Sequence, residues 1–280
     1  MAGGSLPIGV AIGTIGLTAA EWLASVRRLD DAGYRTAWAW DQFIGRGDPT
    51  VPVQEQWTIL AAAAGATQRI GLGTFVTNVI PRHPAVLARM AATLQAASGG
   101  RLTVGIGIGG ASRAMAAYGL PDPPVGERVA RLEEAVAVLR ALWTGGPVTR
   151  PSDFYPLADA HAFPVPRPTP DILIGGQSAR GVAMAARVGD GWAAEEPHFG
   201  RHRTRYLECL AAEGRRRDDV RIVVGYGGGR TGVDALRGSA WVERPAEAWA
   251  ELRDRGADEA IVTARTPADI DALVDAVARW

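Results

Sequence analysis

Short apolar runs alternate along the chain with longer stretches in which apolar residues recur every three or four positions. The short runs predict buried strands over 6–12, 36–40, 70–75, 102–106, 171–174, 191–194, 220–225 and 259–263. The longer stretches predict helices. Trp22, Val26 and Leu29 mark the buried face of the first, which Thr18 and Glu21 open as a capping box and Gly33 ends. A second is expected over about 53–66. A third begins at Pro84, with Val86, Leu87, Met90 and Leu94 as its apolar face. In the fourth, Val129, Leu132, Val136, Leu139 and Trp143 form one stripe, with Glu127 and Arg131 paired outside it. Others are expected over 178–188, 199–213 and 245–255. Thr266 opens the last, which turns Ile270, Leu273, Val274 and Val277 inward.

Eight strand–helix units predict an α/β fold, a (β/α)8 TIM barrel forming a single domain over 1–280. Such a barrel typically needs about 250 residues. The proline-rich segment 145–170 breaks the rhythm and reads as an irregular insertion after the fourth helix, a common place for a lid.

Composition narrows the chemistry. The basic residues are all arginine, so Schiff-base catalysis through lysine is excluded. Formal net charge is zero, and the only basic run, Arg215 to Arg217, follows a helix end, so no nucleic-acid partner is expected. The single cysteine, Cys209, forbids an intrachain disulfide and reads as a buried thiol. The four histidines and the single cysteine form no recognisable set of three or four ligands, and no metal is expected. No apolar run approaches the ~20 residues of a membrane span, and the start lacks a secretory leader, so a cytoplasmic location is expected.

In a barrel the loops after the strands carry function. Asp41 and Gln42 follow the second strand, beside Trp40 and Phe43; Asp41 reads as a turn residue or as an orienting group. Thr74, Phe75, Val76, Thr77 and Asn78 follow the third, and His83 reads as a helix cap before Pro84. Gly107, Ile108, Gly109 and Gly110 follow the fourth, without the spacing of a dinucleotide fingerprint. Gly175, Gly176, Gln177 and Ser178 lead into a helix N-terminus, a natural phosphate site in which Ser178 can also cap the helix. Glu195, Glu196 and His198 follow the sixth strand; they suit proton transfer, or the ordinary acid preference of a helix start.

These pieces, in order along nearly the whole chain, resemble the bacterial-luciferase-like superfamily of flavin- and deazaflavin-dependent oxidoreductases. The likeness rests on Trp40-Asp41, on Gly73 to Thr77, on Arg82-His83-Pro84-Ala85 and on Gly100-Arg101-Leu102. Glu127-Arg128 through Leu142-Trp143, Pro170 to Gly176, and Gly189-Asp190-Gly191-Trp192 complete it. The resemblance implies a barrel that binds FMN or coenzyme F420 across its strand ends, often as a homodimer. The phosphate would lie at Gly175, Gly176, Gln177 and Ser178, and the ring over Thr74, Phe75, Val76, Asn78, Gly107 and Ile108, with Asp41 nearby. A non-proline cis peptide is implied at Phe75–Val76.

Two departures stand out. Many deazaflavin members have histidine where this chain has Gln42, and some carry glutamate within the loop matched by Gly107 to Gly110. The proton donor is therefore open among Glu195, Glu196, His198, water and the substrate, with Asp41 and Gln42 as further catalytic candidates. The leading expectation is hydride transfer between F420 and a small organic substrate. The arginine-only, Ala- and Gly-rich composition resembles that of GC-rich actinobacteria, where F420 is frequent. The alternatives are an FMN-dependent monooxygenase using reduced flavin and oxygen, a non-catalytic flavin-binding protein, and a non-redox barrel such as a lyase.

Overall fold

The computed structural model describes residues 6–45, 48–110, 113–226 and 236–280. Its first half runs β1 (Ile8–Ile12), α1 (Ala19–Ala32), β2 (Thr36–Ala39), α2 (Gln56–Ala66), β3 (Gly71–Thr74), β4 (Thr77–Asn78), α3 (Pro84–Ala97), β5 (Leu102–Gly107), α4 (Arg113–Ala117) and α5 (Val125–Leu142). It continues through β6 (Val148–Arg150), β7 (Leu157–Ala160), β8 (Asp171–Gly175), α6 (Ala179–Val188), β9 (Gly191–Glu195), α7 (His198–Ala212) and β10 (Arg221–Tyr226). The final elements are α8 (Ala240–Glu243), α9 (Pro245–Asp254), β11 (Glu259–Ala264) and α10 (Pro267–Ala276).

The eight expected strands are present and parallel. They run β3-β2-β1-β11-β10-β9-β8-β5, and pairing of β3 with β5 closes the ring. The two-residue β4 extends the sheet beside β5. The register is staggered, with Gly73 opposite Thr103 and Leu173 opposite Gly191, as the tilt of a closed barrel requires.

Alternation along each strand sorts side chains into two cores. Ile12, Leu72, Ile106, Ile174, Trp192 and Val262 face outward and pack under the helices. Ala11, Trp38, Leu173, Ala193, Val223 and Ile261 face inward and fill the barrel. At the N-terminal end of the barrel, fully buried Glu259 accepts from Trp38 Nε1 at 2.9 Å and pairs with Arg221. Inward glycines make room for these large groups. A Cβ on Gly73 would lie 2.2 Å from the Trp38 ring.

Several details differ from the sequence expectation. The segment 145–170 contains the antiparallel pair β6–β7 rather than only irregular chain. No residue of the segment is among those lining the strand-end cavity described below, but Tyr155 packs edge-on against His83 at the start of α3, and Arg131 of α5 lies over the Phe154 ring. Helix α2 starts at Gln56 because Glu55 caps it, its side chain accepting from Thr58 N–H at 2.7 Å. Val86 is 55% exposed on the outside of α3. Val274, Val277 and Cys209 are only partly buried against the core. The three basic residues after α7 are all engaged: Arg215 donates to Ala186 O, Arg216 pairs with Asp219, and Arg217 pairs with Asp258. The glycine-rich stretch read after the seventh strand lies largely outside the described residues.

Asp30 ties α1 to the start of β3. Its buried carboxylate accepts from the amides of Gln68 at 2.8 Å, Arg69 at 3.0 Å and Ile70 at 2.7 Å. Burial opposes the charge, but the three amides and the Arg69 cation outweigh it and hold the carboxyl below its ordinary 3.8. A depressed folded pKa stabilises above the unfolded value, and that contribution is lost as pH falls through the folded one. Asp30→Asn should therefore cost about 1–3 kcal/mol at neutral pH. It should also flatten the decline in stability below pH 3.8. Urea midpoints measured across the acid range check both effects, and an unchanged acid limb would contradict them.

Candidate active site

A cavity of about 1090 Å³ opens at the C-terminal ends of the strands. The last inward position of most strands faces it: Trp40, Phe75, Gly107, Gly175, Glu195, Gly225 and Thr263 all line it.

Its floor is built around Val76, which follows Phe75 through a cis peptide bond. The Val76 methyls sit where three glycines have no side chain. A Cβ on Gly107 or Gly175 would lie 2.9 Å from Val76 Cγ2, and one on Gly105 would lie 3.0 Å from Cγ1. The alternate glycines of the fourth barrel strand thus make space for a side chain of the third. A Cβ on Gly225 would likewise meet the Phe75 ring at 2.7 Å. The result is a shallow apolar platform with backbone on three sides.

Asp41 lies beside the platform, and its carboxylate is committed. It accepts from Arg82 through Nη1 at 2.5 Å and Nη2 at 2.9 Å, and from the amide of Asn78 at 2.8 Å. Its side chain is only 3% exposed. Arg82 Nη2 also reaches Glu55 at 2.8 Å. Burial alone would lower the Arg82 pKa; Asp41 and then Glu55 reverse that and raise it. Burial would likewise raise the Glu55 pKa, but the Thr58 amide and hydroxyl, with Arg82, hold it below the ordinary carboxylate value. Asp41 is thus a positioning group: through the Asn78 amide it fixes the chain that follows Val76.

The opposite wall is the start of α6. Ser178 caps it, its hydroxyl accepting from Gly181 N–H at 3.2 Å. Gly176 and Gly181 are in such close contact that a Cβ on Gly176 would lie 2.6 Å from the Gly181 carbonyl carbon. Gly175, Gly176, Gln177, Ser178 and Arg180 all face the cavity, so backbone donors, a hydroxyl and a cation converge at one helix N-terminus. Over the mouth, α4 presents Ala114 and Met115. Asn78 links floor to α4, its amide nitrogen lying 3.7 Å from Met115 Sδ. Tyr118, just beyond α4, pairs with Phe43 at 5.7 Å between ring centroids.

The structure thus brings Asp41, Gln42, Phe75, Val76, Asn78, Gly107, Ile108, Gly175, Gly176, Gln177, Ser178 and Glu195 to one cavity. Three expected site residues do not line it. Thr74 points outward and is fully buried, donating to Gly105 O at 2.7 Å. His198, at the first position of α7, also lies outside the lining, and its Nδ1 is buried without a partner. Glu196 is paired with Arg255 and has no place in the cavity either. Of the three acid–base groups read after this strand, Glu195 alone faces the cavity, because it continues the inward alternation of Gly191 and Ala193. His83 caps α3, its Nδ1 accepting from Ala85 N–H at 3.2 Å.

The cavity also contains residues the sequence reading did not assign: Arg180, Thr263 and Arg265, with Val129, Leu132 and Met184 from α5 and α6. The signal for Thr263 was available. It stands two residues beyond Ile261 and four beyond Glu259, on the same inward face.

The luciferase-like monooxygenase family model matches residues 5–269 of this sequence. The chain belongs to that family. An F420-dependent glucose-6-phosphate dehydrogenase of Beutenbergia cavernae is 38% identical over 164 residues, 57% of this chain and 48% of that protein. An F420-dependent hydroxymycolic acid dehydrogenase of Mycobacterium tuberculosis is 30% identical over 174 residues, 62% of this chain and 48% of that protein. The chain thus spans about half the length of these relatives. Among solved structures, an F420-dependent secondary alcohol dehydrogenase bound to an F420–acetone adduct superposes with a TM-score of 0.82. It is 19% identical, over 99% of both chains. EDTA monooxygenase from Chelativorans sp. BNC1 superposes at 0.72 with 15% identity, over 96% and 93% of the two chains. At these identities the likeness is one of fold.

The Asp41–Arg82 pair is the electrostatic anchor of the rim. Arg82→Met should strand a buried carboxylate and cost about 3–5 kcal/mol. The double variant Asp41→Asn/Arg82→Met should recover a large part of that loss. Thermal or urea unfolding of the three variants reads this coupling, and additive losses would contradict it.

Proposed function

We propose that this protein is an F420-dependent oxidoreductase that transfers hydride between the deazaflavin and a small organic substrate. The glycine-seated Val76 platform, open toward the N-terminus of α6, is the observation that carries this reading. A planar tricyclic ring fits a smooth apolar floor, and a phosphodiester fits the donors of Gly176, Ser178 and Arg180. The residues therefore suit the group. Among the protein's matched relatives, several are named as F420-dependent dehydrogenases, which favours F420 over FMN.

The bound deazaflavin would supply the hydride chemistry. The chain's own residues would bind, orient and exclude water. Val76 would support the ring, with Phe75, Gly107 and Ile108 around it. Asp41 would hold Asn78 and the platform in register. Gln177, whose side-chain oxygen accepts from the Glu195 amide at 3.3 Å, would link the phosphate grip to the reacting side. Glu195 is the cavity-lining carboxyl not engaged by arginine as Asp41 is, and would move the proton. Gln42 would orient the substrate by hydrogen bonding.

The assembly we propose is a cytoplasmic homodimer. The single cysteine suits a reducing compartment. Among the described residues no helix is long and apolar enough to cross a membrane. Helix α2 is apolar on nearly all sides, and its outer Ala61 and Ala62 lie exposed, as does Val86 on α3. Such a face suits burial against a second copy; sedimentation as a monomer at micromolar concentration would remove the dimer.

Titration of the protein with F420 and with FMN, followed by tryptophan quenching, tests the main reading. F420 should bind more tightly than FMN, with Kd in the micromolar range or below. If neither binds below roughly 100 μM, about 5.5 kcal/mol, the reading fails. Preferential binding of FMN would overturn the deazaflavin assignment.

A further inference from the structure

We infer that the outer seam between α5 and α6 is a second binding site, that it takes an organic oxyanion, and that Arg150 is the group that receives the charge. A separate cavity of about 610 Å³ opens there. That volume falls in the range of small-molecule sites. The cavity shares no lining residue with the one at the strand ends. The two lie on different faces of the same helices. Helix α5 turns Val129 and Leu132 to the first cavity and Val136 and Ala137 to the second. Helix α6 turns Met184 to the first and Arg187 to the second. Gly189 and Asp190, which lead into β9, also line the second, so it lies toward the opposite end of the barrel. Nothing in this site depends on which cofactor the first cavity holds.

Four arginines and three carboxylates line the second cavity. Two of the arginines are spent: Arg140 pairs with Asp190 at 2.9 Å and Arg187 with Glu133 at 2.8 Å. Arg215 donates to the neutral Ala186 carbonyl at 2.6 Å. The third carboxylate, Glu134, accepts from the Ser152 hydroxyl rather than from a cation. Arg150 differs from the other three arginines. No hydrogen bond or ion pair engages its guanidinium, and its Nε is shut off from solvent without an acceptor. A buried donor left in this state calls for a missing partner, an ion or a water among them. The lining as a whole carries one positive charge in excess, which a neutral ligand would leave uncompensated and a cation would increase.

Arg150 is positioned by the chain around it and not through its charge. It stands in β6 opposite Leu157 of β7, which packs against the core. Two residues later Ser152 ties the segment to Glu134 of α5, and its oxygen accepts from the amides of Phe154 at 3.2 Å and Tyr155 at 2.8 Å. The guanidinium is thus placed with its fork unspent, and that planar fork suits two oxygens of a carboxylate or a phosphate. A water takes about 30 Å³, so the cavity holds far more than a bare ion. Val136, Ala137 and Val188 supply apolar surface for the organic part of the ligand.

Calorimetric titration with benzoate, phenyl phosphate and the neutral benzamide tests this. At least one of the two anions should bind about tenfold or more tightly than benzamide, and the tighter of the two identifies the oxyanion. Arg150→Gln should weaken that anion about tenfold or more. The unfolding midpoint should not change, because the Arg150 charge supports no partner in the free protein. Arg150→Lys should retain part of the affinity, since lysine keeps the charge but not the fork. Arg180→Gln, altered at the strand-end cavity, should leave the affinity within about twofold. Anions that bind no better than benzamide, an affinity that survives Arg150→Gln, or one lost instead in Arg180→Gln would overturn the inference.

Discussion

The site depends on one steric arrangement: the side chain of Val76 occupies space that Gly105, Gly107 and Gly175 leave empty. Two strands, β5 and β8, meet the loop that carries Val76 there at distances that no additional carbon would allow. Elsewhere in the barrel the same exchange fills the interior, with Gly73 yielding to Trp38 and Gly225 yielding to Phe75. Large inward side chains are concentrated on a few strands, and glycine on their neighbours accommodates them. Near the N-terminal end this produces a packed core closed by Glu259 and Arg221. Near the C-terminal end it produces a platform beneath an open cavity.

Electrostatics then hold the platform still. The chain after Val76 could move away from the floor, but the Asn78 amide donates to Asp41, and Arg82 fixes Asp41 from the other side. Glu55 completes the network and caps α2 at the same time. A single buried arginine thus joins the loop after β2, the loop after β4 and a helix start. This is why Asp41, adjacent to the site in sequence and in space, is better understood as a support than as an acid or base.

Most of the fold was legible because strand alternation and helix periodicity are strong in this chain. All eight barrel strands fall where the apolar runs lie, and the stripe from Val129 to Trp143 is buried as expected. Errors arose where local pattern cannot report three-dimensional placement. Val86 fits the apolar face of α3 by type, yet it faces outward. The proline-rich segment reads as irregular chain, because the three- and four-residue strands of the β6–β7 pair are too short to leave an alternation pattern. At the site, proximity along the chain was a weaker guide than alternation. Thr74 and His198 are near cavity residues in sequence but point away from the barrel axis. Thr263 and Trp40 lie on the inward face and line the cavity. Arg265 was harder to find, because it follows the last strand, after the alternation has ended.

The proposed function places the cofactor ring on the glycine-seated Val76 platform. The most direct measurement is the F420 dissociation constant of Gly175→Ala, compared with that of Gly175→Ala/Val76→Ala, with unfolding midpoints recorded for both. The added methyl would approach Val76 Cγ2 to 2.9 Å. The single variant should weaken F420 binding by about tenfold or more while remaining folded, and trimming Val76 should restore much of the loss. Unchanged affinity in Gly175→Ala, or a loss that Val76→Ala does not relieve, would contradict it.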